Sequence, residues 1–189
     1  MRRNIGTFAG WSSGNEFASQ IGIQQCCLGN SARALYYAWD RIVQRKGGEL
    51  RVNLLLNRAS KWADVYSYIP YEGRMELKIK QPASNVLVRM PEWINANSRD
   101  VLCKVNGTFR SSRWDGRYVN FGEGRVGDVM SVTFPIHTRT VKETIGNVLY
   151  TLTLRGSTVI AIDPPGKVGP LYNRAYYSTP KAPMRNTQR

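Results

Sequence analysis

Arg74-Met75-Glu76-Leu77-Lys78-Ile79-Lys80 alternates polar and apolar side chains at every step. A period of two places Met75, Leu77 and Ile79 on one face of a β-strand, with Arg74, Lys78 and Lys80 on the opposite, solvated face. The same period runs on through the chain. Candidate strands fall at 49–56, 65–69, 74–80, 85–90, 101–105, 117–121, 128–134, 147–154 and 157–162, at a spacing of roughly 8–15 residues. Gly73, Pro82, Asn106-Gly107, Gly127 and Gly156 punctuate them, and Asn106-Gly107 has the signature of a two-residue hairpin turn. The pattern predicts a mainly β chain, arranged as an antiparallel β-sandwich.

Ahead of these strands the period lengthens. Ala32, Leu35, Tyr36, Trp39, Ile42 and Val43 recur at helical spacing and predict a helix over 31–46. Ser31 is placed to cap it, Arg41, Arg45 and Lys46 to complement its C-terminal end, and Gly47-Gly48 to stop it. Such a broad apolar face must pack on something large. Residues 1–30, with Gly6, Gly10, Gly14, Gly22 and Gly29, read as loop. The expected layout is therefore loop and helix over 1–48, sandwich over 49–136, further strands over 137–177, and a flexible basic tail over 178–189.

The composition bounds the function. With 189 residues, 42% hydrophobic and 20 aromatic side chains, the chain can close a core. No apolar run approaches the roughly 18 residues that cross a bilayer. No apolar segment follows Arg2 and Arg3, so no signal peptide is visible, and the thiols favour a cytoplasmic setting over a secreted one. Against 13 acidic groups stand 27 basic ones, a net charge of +14. The basic residues are spread out and alternate with apolar ones, which reads as solvated strand faces. Neither nucleic acid nor membrane is expected as a partner.

Cys26-Cys27 is the sharpest local feature. A thiolate is both a nucleophile and a soft metal ligand, and a zinc site needs three or four ligands. Two adjacent cysteines supply half of that, and burial as small apolar residues is the competing reading. Cys103 falls on a strand and His137 is the single histidine, so neither is a ready third ligand. Gly122-Glu123-Gly124-Arg125-Val126-Gly127 spells a dinucleotide fingerprint, but a strand follows it where a helix is required, so it reads as a turn. Glu16, Asp40, Glu92 and Glu123 are scattered carboxylates that sequence cannot pair. Trp11, Trp62, Trp93 and Trp114 suit either core packing or stacking on sugar rings. Asn106-Gly107-Thr108 is formally a glycosylation sequon, read more simply as the hairpin turn.

Several segments, in order, resemble glycoside hydrolase family 127, the β-L-arabinofuranosidase family. Gln25-Cys26-Cys27-Leu28-Gly29-Asn30, followed by Ala32-Arg33-Ala34-Leu35-Tyr36 and Trp39, resembles its double-cysteine segment and following helix. Residues 49–56 resemble the strand that leaves its barrel. Arg89-Met90-Pro91-Glu92-Trp93, Val105-Asn106-Gly107, Gly116-Arg117-Tyr118-Val119, Gly127-Asp128, Val132-Thr133-Phe134-Pro135 and Gly169-Pro170-Leu171-Tyr172 continue the likeness. Gln25 stands where the family commonly has Gly, and a Trp usual before the Gly-Asp turn is replaced by Gly124-Arg125. The ordered set spans roughly residues 6–174.

The resemblance implies that residues 1–48 are the end of an (α/α)6 catalytic barrel, with the sandwich behind it. It implies zinc as cofactor, Cys26 as nucleophile and zinc ligand, and Cys27 as zinc ligand. The family's remaining Glu and Cys ligands and its acid/base Glu would precede residue 1, so this chain is expected to carry half a site and to be an inactive fragment or remnant by itself. The implied partner is an arabinofuranoside-type glycan; the oligomeric state is left open, with a dimer among the options. A non-catalytic β-sandwich module that binds carbohydrate is the alternative, and a basic nucleic-acid binder is a third reading.

Overall fold

The computed structural model describes residues 8, 13–16, 25–167, 171 and 181. One helix, α1 (Gln25–Asp40), precedes fourteen strands. The first eleven are β1 (Val43–Lys46), β2 (Glu49–Val52), β3 (Arg58–Ala59), β4 (Ala63–Ser67), β5 (Arg74–Ile79), β6 (Asn85–Arg89), β7 (Leu102–Val105), β8 (Thr108–Arg110), β9 (Arg113–Asp115), β10 (Tyr118–Asn120) and β11 (Val129–Thr133). They form a five-stranded sheet, in the order β1-β2-β6-β10-β9, and a six-stranded sheet, in the order β3-β4-β5-β11-β7-β8. All pairs are antiparallel except β2 with β6, which run parallel with Leu50 beside Val86 and Val52 beside Val88.

The alternation does what the sequence predicts. Met75, Leu77 and Ile79 of β5 are buried, while Arg74, Glu76 and Lys78 face outward. They join Val65, Met130 and Val132 of their own sheet and Val43, Leu50, Val52, Val86, Val88 and Val119 of the other in a single apolar cluster. Two inner faces closed on one core make a sandwich. Residues 38–136 form this compact unit.

Two hairpins of this unit are set by residues that tolerate positive φ. Lys46 pairs with Glu49 around Gly47-Gly48 (φ 58° and 86°), and Val105 pairs with Thr108 around Asn106-Gly107 (φ 51° and 80°). Both are the primed two-residue turns whose twist suits antiparallel strands. Arg89-Met90-Pro91-Glu92-Trp93 is also structural. Glu92 accepts an ion pair from Arg89 at 2.8 Å, Arg117 donates to the Met90 and Pro91 carbonyls, and Trp93 packs edge-on against Phe134 at 5.8 Å.

The helix is displaced from its expected span of 31–46. It begins six residues earlier and ends at Asp40, so Ser31 lies inside it and no basic residue occupies its last turn. Ile42 and Val43 fit the helical period, yet both are β-branched, and both are 2% exposed in the sandwich core. Burying them there, with Gly47-Gly48 free to turn a hairpin, outweighs another turn of helix. The sandwich unit therefore starts before residue 49, because β1 belongs to it. No residue of α1 is buried, and Leu35, Tyr36, Tyr37 and Trp39 are 48–60% exposed. The Arg58 guanidinium covers the Trp39 ring at 3.2 Å, tying the last turn of α1 to β3.

A second unit comprises residues 1–37 and 137–189. Its core element is a three-stranded antiparallel sheet of β12 (Thr138–Ile145), β13 (Val148–Arg155) and β14 (Thr158–Asp163). The short segment 13–16 is held here: the buried Asn15 side chain donates to the Pro164 carbonyl at 2.8 Å, and its carbonyl accepts from the Leu171 N–H at 2.9 Å. Of the expected loop over 1–30, residues 25–30 are helical instead and the rest falls largely outside the described residues, as does the tail over 178–189 except Lys181.

Two substitutions test this packing. A Cβ at Gly73 would sit 1.8 Å from the Phe134 carbonyl oxygen, so Gly73→Ala forces the backbone apart. It is expected to lower unfolding stability by about 2–4 kcal/mol in urea titration. Leu77→Ala, which empties a fully buried site, is expected to cost about 3 kcal/mol. A wild-type midpoint for either would contradict the core described.

Candidate functional site

Cys26 and Cys27 lie in the first turn of α1 rather than four residues ahead of a helix. Helical pitch brings the adjacent side chains to the same end of the element. Their Sγ atoms are 3.7 Å apart, in hydrogen-bonding contact. Cys26 is exposed and Cys27 half-buried. The Asn30 amide donates to the Cys26 carbonyl at 3.0 Å and accepts from Arg33, which braces this turn. The Cys27 thiol is held above its ordinary pKa, first by the hydrogen bond to Cys26, then by desolvation and by the Cys26 charge. A cation bound between the sulfurs would displace the thiol protons.

The geometry fits half of a zinc site. Two thiolates on one tetrahedral zinc, each about 2.3 Å from the ion, lie about 3.8 Å apart, which matches the observed separation. The described residues contain no group of three or more His, Cys, Asp or Glu able to hold a metal. Cys103 is buried on β7, and its thiol is pushed up to about 11 by burial, so it acts as a core residue. His137 is exposed, and its carbonyl accepts the Gly156 N–H.

The scattered carboxylates are not brought into a catalytic pair. Asp40 pairs with Arg41 at 3.5 Å, Glu92 with Arg89, and Glu123 with Arg125 at 3.8 Å; Glu16 accepts from the Lys167 N–H. Residues 122–127 form a turn between β10 and β11, bridged at Gly124 to Ala83, so no helix follows the glycines. Trp62, Trp93 and Trp114 pack against the core, while Trp11 lies outside the described residues. A feature absent from the sequence reading is a cavity of about 820 Å³ in the sandwich unit, where Arg41, Arg45, Lys46 and Arg51 converge. The Gly-Gly turn at 47–48, flanked by polar and apolar alternation, was its available signal.

No family model matches the chain, and no curated protein does. Solved structures do. A family 127 β-L-arabinofuranosidase from Geobacillus stearothermophilus T6 superposes with a TM-score of 0.52 at 18% identity, over 71% of this chain and 23% of that one. A family 127 β-arabinofuranosidase gives 0.59 at 20% identity, over 78% and 28%. A further glycoside hydrolase gives 0.57 at 15% identity, over 76% and 28%. The chain shares their fold. It spans about a quarter of the length of those structures, 23–28%. Among the described residues, no helix is long and apolar enough to cross a membrane.

Thiol chemistry distinguishes the three cysteines. Iodoacetamide is expected to label Cys26 in the folded chain and to spare Cys103 until the chain is unfolded; labelling of Cys103 in the native state would contradict its burial. The Cys103 thiol binds its proton more tightly folded than unfolded, so its contribution is complete below pH 9 and is lost as pH rises through about 11. Stability should fall more steeply across that window in the wild type than in Cys103→Val. Parallel curves would rule out the effect.

Proposed function

We propose that this chain is the sandwich-bearing portion of a glycoside hydrolase like those of family 127, acting in the whole protein on β-L-arabinofuranosides or related plant sugars. The observation that carries the reading is the Cys26–Cys27 pair, Cys26 exposed and Cys27 half-buried, with sulfurs spaced for one zinc, on a helix that precedes a fold like that of family 127 structures. Helix α1 supports it as well: Leu35, Tyr36, Tyr37 and Trp39 leave a stripe of apolar surface that suits a helix from the end of a larger helical barrel.

Cys26 and Cys27 would hold the zinc, which when bound keeps both sulfurs deprotonated at neutral pH. Cys26, the more exposed of the two, is the nucleophile in this reading. Its Sγ donates an electron pair to the anomeric carbon as the bond to the leaving oxygen breaks, and that oxygen takes its proton from an acid outside this chain. Cys27 orients the pair, and the Asn30–Arg33 brace fixes the first turn of the helix. With only two ligands here, the chain alone is not expected to turn over substrate.

A second reading has its own support. The sandwich core closes entirely within residues 42–134, as an accessory module that binds carbohydrate without catalysis would require.

Cobalt titration separates the two. The zinc reading expects a thiolate-to-cobalt charge-transfer band that saturates at one ion per chain, is lost in Cys26→Ser and in Cys27→Ser, and persists in Cys103→Ser. No band, or a band indifferent to Cys26 and Cys27, would overturn the metal reading and leave the accessory module.

A further inference from the structure

The cavity on the β1–β2 hairpin is built from sheet register. Gln44 lies beside Arg51, Lys46 beside Glu49, and Glu49 beside Asn85 of β6, so alternate residues of three strands share one face. Arg41 and Arg45 complete the lining, which gives four cations against one carboxylate in about 820 Å³.

We propose that this cavity binds a small acidic saccharide whose carboxylate or phosphate is held by the cations. The cations are positioned in advance. Arg45 donates to Gln81 at 3.1 Å and to the Pro82 carbonyl at 2.8 Å, and Arg51 is braced by Glu49 and rests 5.4 Å from the Tyr118 ring centroid. Lys46 has no ion-pair partner among the described residues. Arg41 is paired with Asp40 and Arg51 with Glu49, so the surplus positive charge of the lining rests on Arg45 and Lys46, and a bound anion meets that surplus while accepting charge-assisted hydrogen bonds. The Ser84 hydroxyl and the Gln44 and Asn85 amides, also in the lining, supply neutral partners for sugar hydroxyls.

Shape and composition select against nucleic acid. The volume of about 820 Å³ falls in the range of roughly 300–1,000 Å³ typical of small-molecule pockets. The lining contains no aromatic side chain on which an unpaired base could stack. The inference is independent of Cys26 and Cys27 and stands whether or not the chain is part of an enzyme.

The test is titration of the whole chain, followed by amide NMR shifts, with trigalacturonate, a hexose phosphate, neutral maltotriose and a single-stranded oligonucleotide. One or both acidic saccharides should bind with millimolar or tighter affinity, shifting residues around the hairpin, and the two arms identify the anion. A double variant, Arg45→Gln with Lys46→Gln, should weaken that binding by about tenfold or more. Lys78→Gln, on the outer face of β5, should leave it unchanged, and thermal melts establish that all variants are folded. No binding by either acid, equal binding of maltotriose, equal weakening by Lys78→Gln, or tighter binding of the oligonucleotide would each overturn the proposal.

Discussion

Two apolar sheet faces closing on each other are the constraint on which the sandwich unit depends. Met75, Leu77, Ile79, Met130 and Val132 from one sheet meet Leu50, Val52, Val86, Val88 and Val119 from the other, all essentially excluded from water. Burying each such side chain contributes about 1.5–3 kcal/mol, against the cost of ordering the strands that carry it. Everything polar on the outside follows from that choice of register. A shift by one residue would turn Arg74, Glu76 and Lys78 inward.

The strands of this core were legible because each buries one face and wets the other. The period of β5 and the Asn106-Gly107 turn could be read directly, since alternation and positive φ both leave marks on residue type. Strand β12 left no such mark. Thr138–Ile145 is exposed along nearly its whole length on both faces, so nothing selects an apolar alternation. The helix ends were misplaced for the opposite reason: Ile42 and Val43 satisfy both a helical and a strand pattern, and only the packing of the sandwich core decides between them. The Cys26-Cys27 pair was visible as a composition anomaly, but its place in the first turn of α1 was not, because the helix start carries no Ser, Thr, Asp or Asn signal there. The cavity is not legible as a whole because Ser84 and Asn85 join residues 41–51 only through a parallel pairing, β2 with β6, that sequence does not announce.

These features divide the molecule by role. The sandwich supplies stability through its own core, so Cys103, Trp62 and Trp93 are structural there. The first turn of α1 carries the adjacent thiols, Cys26 exposed and Cys27 half-buried, with a separation that two thiolates on one tetrahedral ion also adopt.

The central claim is that Cys26 and Cys27 together form one half of a metal site. X-ray absorption at the zinc edge of the zinc-loaded chain tests it most directly, because it counts sulfur neighbours without reference to activity. The account predicts two sulfur scatterers at about 2.3 Å, with the remaining shell of oxygen or nitrogen at about 2.0–2.1 Å, and one sulfur fewer in Cys26→Ser. A shell of light atoms alone, or the same spectrum in Cys26→Ser, would contradict it.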